Sequence, residues 1–106
     1  MVQELLERTV NALTEKGYAP DRVNHTLGKD YGEMRKRQIE VYETFRHNHR
    51  DEENVTVTIE VFELQLPNGT RWLPTLKRLG KFKVPKDASD KVLMNRVEKA
   101  IETFNQ

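Results

Sequence analysis

The sequence predicts a small α+β domain: an antiparallel sheet of about three strands, in the order α-β-β-β-α, with the N- and C-terminal helices packed on one face. Three observations predict it. Val55, Val57, Ile59 and Val61 alternate with Thr56, Thr58 and Glu60, the period-2 pattern of a strand with one buried face. Pro67-Asn68-Gly69-Thr70 follows, and Asn-Gly favours a two-residue hairpin turn because both central residues need positive φ. Near both ends of the chain the apolar residues recur at helical spacing instead.

Size and composition bound the rest. A chain of 106 residues is one domain, 1–106, with a single modest core. Hydrophobic residues make up 36% and charged residues 33%, which is polar, yet the apolar positions fall in periodic segments, so the chain folds. Cysteine is absent, which removes disulfides, thiolate nucleophiles and cysteine-type zinc sites and suits a reducing cytoplasm, the expected location. No apolar run reaches the ~18 residues of a membrane span, and the N-terminal stretch is acidic and amphipathic, so no membrane partner is expected.

In chain order, Val2, Leu5, Leu6, Val10 and Leu13 fall on one side of a helix over 2–16, with Glu4 and Glu7 at its positive end and Gly17 as its stop. Residues 18–32 hold Pro20, Gly28 and Gly32 and form a connector, with room for one helical turn after Pro20. Residues 33–47 fit either pattern: Tyr31, Met34, Val41, Tyr42 and Phe45 make a helical stripe, whereas Ile39, Val41 and Phe45 share a strand face with Glu43 as the flaw. The run Ile-Glu-Val-Tyr-Glu-Thr-Phe favours a strand at 37–47, and a third strand also supports a hairpin that is marginal alone. Pro85 then ends the sheet. Asp87 or Ser89 caps a last helix along which Leu93, Val97, Ala100, Ile101 and Phe104 recur.

The returning strand carries the clearest functional signal. Residues 70–86 contain Arg71, Lys77, Arg78, Lys81, Lys83 and Lys86 with no acid among them; the whole chain is only +1, so without these six it is −5. In an uninterrupted strand Trp72, Leu76, Phe82 and Val84 point one way and Arg71, Lys77, Lys81 and Lys83 the other. Counting back across the Asn-Gly turn pairs Leu66 with Arg71, Val61 with Leu76 and Glu60 with Lys77, while Pro74 and Gly80 mark places where the strand bends. Such a ridge neutralises phosphates; lysines also guard sheet edges against aggregation. Arg35, Lys36 and Arg37 extend the ridge.

In element order the chain resembles double-stranded RNA-binding domains, and the resemblance implies a nucleic-acid partner. Those domains open their last helix on lysines; here that region is Lys86-Asp87-Ala88-Ser89-Asp90-Lys91, with two acids interrupting.

A rival surface is apolar. Phe62 and Leu64, with Leu66, Leu73 and Leu79, lie on the face that Thr56, Thr58 and Glu60 mark as outer. Three explanations stand: a bulge near Val61-Phe62 swaps the faces, both sides are covered there, or the patch is exposed and binds a partner.

Chemistry is thinly supplied. His47, His49, Asp51 and Glu53 share a side of an extended chain, but Arg50 sits among them and a loop this polar joins strands on ordinary grounds, so no metal is assigned. His25 has no evident partner. The single serine, Ser89, suits a helix start, and no glycine-rich phosphate loop occurs, so neither a catalytic residue, a cofactor nor a small-molecule substrate is assigned. Two functions follow as expectations. The first is a small non-enzymatic binding or regulatory module contacting nucleic-acid phosphates through Arg71, Lys77, Arg78, Lys81, Lys83, Lys86 and the Arg35–Arg37 cluster. The alternative is a protein-binding adaptor or inhibitor of the kind mobile elements encode, acting through Phe62, Leu64, Leu66 and Leu73, or a structural homodimer.

Overall fold

A computed structural model describes residues 2–24, 36–44, 56–65 and 75–106. Within them the elements run α1 (Val2–Glu15), β1 (Arg22–Val23), β2 (Arg37–Thr44), β3 (Thr56–Gln65), β4 (Thr75–Val84) and α2 (Asp90–Asn105). The protein is α+β, and both terminal helices lie on one side of the sheet. The sheet, however, has four strands in the order β1-β2-β3-β4 and is mixed, because β1 pairs parallel to β2 while the other pairs are antiparallel. The order α-β-β-β-β-α therefore departs from that of the double-stranded RNA-binding domains.

The extra strand lies in the expected connector, where a helical turn is replaced by a short bridge. Asp21 N–H and Asn24 N–H donate to Ile39 O and Val41 O at 2.8 and 2.9 Å. Side chains close both ends: Asp21 Oδ2 accepts from Ile39 N and Asn24 Oδ1 from Glu43 N, each at 3.4 Å. Asn24 takes φ 60, a left-handed conformation that asparagine tolerates better than most residues. These bonds occupy the outer edge of β2, and a strand that would otherwise template pairing with another chain is closed.

α1 stops where Gly17 allows it. Gly17 sits at φ 86 and donates to Thr14 O at 3.0 Å, and Tyr18 N–H reaches Leu13 O at 2.9 Å, the paired bonds of a Schellman cap. α2 begins at Ser89, whose Oγ accepts from Val92 N at 3.3 Å. Its far end is held by Tyr18, whose ring meets Phe104 edge-on at 5.5 Å.

The core lies between the helices and one face of the sheet. Leu5, Leu6, Ala12 and Leu13 of α1 and Leu93, Val97 and Ala100 of α2 pack with Ile39, Val41, Val57, Ile59, Val61 and Val84. Each buried Leu, Ile or Val side chain contributes about 1.5–3 kcal/mol on burial, and this layer is what holds the sheet in place. Thr9 is buried among them but donates its hydroxyl to Leu5 O at 2.8 Å.

The hairpin pairs in a different register from the one a tight Asn-Gly turn dictates. The described ladder runs to Gln65↔Thr75, where the tight-turn register sets Gln65 against Trp72, and residues 66–74, including the predicted turn, lie outside the described residues. Packing explains the difference. The tight-turn register would set core Ile59 against Arg78 and bring Pro74, which has no N–H, into the ladder. The observed one sets Ile59 against Phe82 and Val57 against Val84.

The ladder then steps once. Val61 pairs with Gly80 but Phe62 with Arg78, so Leu79 is the extra residue of a β-bulge. The step falls at Val61-Phe62 as one of the three explanations required, yet the additional residue belongs to β4. β3 keeps its alternation, since β2 pairs with it without interruption from Arg37↔Glu63 to Thr44↔Thr56. Leu79 packs against the core. Gly80 beside it has no side chain because none fits: a Cβ there would lie 2.9 Å from the Phe82 ring and 3.2 Å from Thr103 Cγ2.

Candidate nucleic-acid interface

Register sorts the charges onto two faces. On the face away from the helices stand Arg22 of β1, Gln38, Glu40, Tyr42 and Thr44 of β2, Thr56, Thr58, Glu60, Phe62 and Leu64 of β3, and Leu76, Arg78, Lys81 and Lys83 of β4. Four of these line up across the sheet as Arg22, Glu40, Glu60 and Lys81.

The bulge changes which cations belong together. An unbroken strand would group Lys77 with Lys81 and Lys83 and turn Arg78 toward the helices. The extra residue reverses this below Leu79: Arg78 joins Lys81 and Lys83, opposite Phe62, Glu60 and Thr58 in turn, and Lys77 falls opposite Glu63 on the helix side. Two β3 residues separate each cation from the next, about 6.8 Å at the usual rise, so the three span ~14 Å. Lys81 and Lys83 are exposed and, among the described residues, neither has an ion pair. Arg78 is 56% exposed at its side chain and lies 3.8 Å from Glu60 Oε2. Lys86 is exposed just past the strand end.

The second cluster does not join this row. Arg37 points to the helix side, donating from Nη1 to Phe104 O at the end of α2, with its Nε 3.9 Å from Glu63 Oε1. Lys36 is exposed and its carbonyl accepts from Leu64 N at 2.7 Å. Arg35 and Arg71 lie outside the described residues, as do Leu66, Leu73, His25, His47 and His49. Of the apolar set, Phe62 and Leu64 do stand on the outer face and are half-buried, with Leu64 paired to half-buried Leu76.

A polar network in the centre of this face was not expected from the sequence. Glu40 and Glu60 are buried, Arg22 Nη1 lies 3.9 Å from Glu40 Oε1, and Tyr42 donates its hydroxyl to Glu60 Oε1. Burial pushes the Tyr42 phenol well above the usual tyrosine range, and its bond to the Glu60 carboxylate adds to the rise. Thr44 and Thr58 share a hydrogen bond between their hydroxyls. The signal that locates this network is the alternation Gln38, Glu40, Tyr42 along β2, which becomes legible only once that segment is known to be a strand. Among the described residues no group of three or more His, Asp or Glu side chains converges as metal ligands, and no helix is long and apolar enough to cross a membrane.

The chemistry available is thus cationic and directional: a short row of positive charge along an edge strand, backed by carboxylates already committed to partners. No family model, curated protein or solved structure matches the chain.

Proposed function

We propose that the protein is a non-enzymatic binding module that contacts nucleic-acid phosphates through β4, with Lys81, Lys83 and Arg78 as the principal neutralising residues and Lys86 beside them. The observation that carries this reading is the alignment of Arg78 with Lys81 and Lys83 on one face of an edge strand. Edge protection alone needs charge somewhere on the strand and no particular spacing. The acids that share this face, Glu40 and Glu60, are buried, and Glu60 is held by Tyr42 and Arg78, so neither opposes an incoming phosphate as a free exposed charge; Asp87, exposed beside Lys86, weakens that end of the row. Pairing of two β4 edges about a two-fold axis brings like charges together, Lys77 against Lys83 in one register and Arg78 against Lys81 in the next.

The test is fluorescence anisotropy with short labelled RNA and DNA oligonucleotides. Binding that weakens steeply with salt and is lost in the Lys81→Glu/Lys83→Glu double variant is the expected outcome. An absence of binding at ~50 mM salt overturns the reading and leaves the lysines as edge protection. In that case the Phe62, Leu64 and Leu76 end of the same face becomes the surface to test, as the docking site of a protein adaptor.

A further inference from the structure

Resting on the phosphate reading above, we infer that the β4 row follows one phosphodiester strand, and that the preferred ligand is single-stranded nucleic acid and not a duplex. The cations form a single file. Arg78, Lys81 and Lys83 succeed one another along the outer face at even intervals, comparable to the separation of successive phosphates in an extended strand. Gripping a duplex across a groove requires a second row of cations on the far side of that groove, about 12 Å away for the major groove of DNA. The described sheet supplies no such row: Arg37 is turned to the helix side and spent on Phe104 O and Glu63, Arg22, across the sheet on the right face, is paired to Glu40, and Lys36, exposed where its carbonyl meets Leu64 N, is one cation and not a row.

The size of the row sets the salt dependence. Three phosphates neutralised on a single strand give a slope of log affinity against log salt of about −2, or roughly twentyfold weaker binding between ~50 and ~200 mM. Removing one contact flattens the slope by ~0.7 and leaves a loss of about sevenfold over the same range.

The experiment compares single-stranded and duplex oligonucleotides of equal length by anisotropy at both salt concentrations, for the wild-type chain and for Lys83→Gln, Arg78→Gln and Lys77→Gln. Circular dichroism confirms that each variant is folded. The expected result is tighter binding of the single strand, a flattened slope for Lys83→Gln and Arg78→Gln, and an unchanged slope for Lys77→Gln, which removes the same charge from the other face. Lys83→Gln keeps the test decisive if Arg78→Gln unfolds the sheet by freeing Glu60. Duplex binding as tight as single-strand binding, or a Lys77→Gln effect equal to that of Lys83→Gln, overturns the single-file assignment while leaving phosphate contact standing. No binding of any oligonucleotide overturns the phosphate reading, and this inference with it.

Discussion

Glu40 and Glu60 stand directly opposite each other on the two central strands, with relative exposures of 5% and 7%. Like charges facing across a ladder repel, and burial removes the water that would screen them. The sheet answers on both flanks, with Arg22 outside Glu40 and with Arg78 and the Tyr42 hydroxyl on Glu60. Much of the outer face is therefore organised around keeping two carboxylates compatible.

Arg22 is the cation whose loss should be felt most. Arg22→Ala leaves Glu40 buried without its guanidinium and should cost about 2 kcal/mol. Adding Glu40→Gln should recover part of that loss, since the buried carboxylate that faced the guanidinium is then neutral. Urea denaturation of the two single variants and the double variant checks this as a thermodynamic cycle.

Tyr42 gives the fold an alkaline limit. Below the ordinary tyrosine value of ~10 the phenol is protonated in both folded and unfolded chains, so its contribution to stability is fully present. Above that value the unfolded chain releases the proton while the folded one retains it, and stability falls as pH rises toward the elevated folded value. Spectrophotometric titration should show a phenol ionising later than ~10, and Tyr42→Phe should remove that late phase. The same variant should be less stable at neutral pH but lose stability less steeply in alkali.

Gly80→Ala tests the close approach of the bulge to α2. The added methyl meets the Phe82 ring and Thr103, so the ring or the helix must shift, at about 1–3 kcal/mol. A lowered midpoint in thermal unfolding is the expected result. Unchanged stability would mean that Phe82 moves aside without loss.

Gly17→Ala places a Cβ at φ 86 with open space around it, so the cost is backbone strain alone, about 1 kcal/mol. Gly17→Asn should cost less, because asparagine tolerates the left-handed region better. Comparing the two by chemical denaturation separates strain from packing.

Much of the framework was legible in the sequence because it rests on local pattern. Leu5, Leu6 and Leu13 announce α1, Leu93, Val97 and Ala100 announce α2, and Ser89 and Gly17 mark ends where backbone geometry demands particular residues. Alternation from Val57 to Val61 identifies β3 and its buried face. What escaped depends on partners distant in sequence. The pairing of Arg22-Val23 with Glu40-Val41 has no local signature in two residues. The register of β3 on β4 is decided by Ile59 meeting Phe82 and not by the turn. One extra residue at Leu79 then reassigns Lys77 and Arg78, and a count that assumes unbroken alternation puts each on the wrong face. Arg37 shows the same limit, because nothing near it in sequence reveals that its guanidinium closes the end of α2.

The spare residue in β4 also divides the strand into two reading frames. On the C-terminal side of Leu79 the odd positions, 81 and 83, face away from the helices; on the N-terminal side the even ones, 76 and 78, do. A saturation-mutagenesis profile of this strand should therefore change parity at Leu79, with charge tolerated on opposite numerical phases in its two halves. Shortening the chain by that residue alone should leave Phe62 against Arg78 and Val61 against Gly80, since the ladder already steps over it. The outer face would keep its pattern while the core loses the contact Leu79 makes with it, and a rule based on alternate residues would miss both.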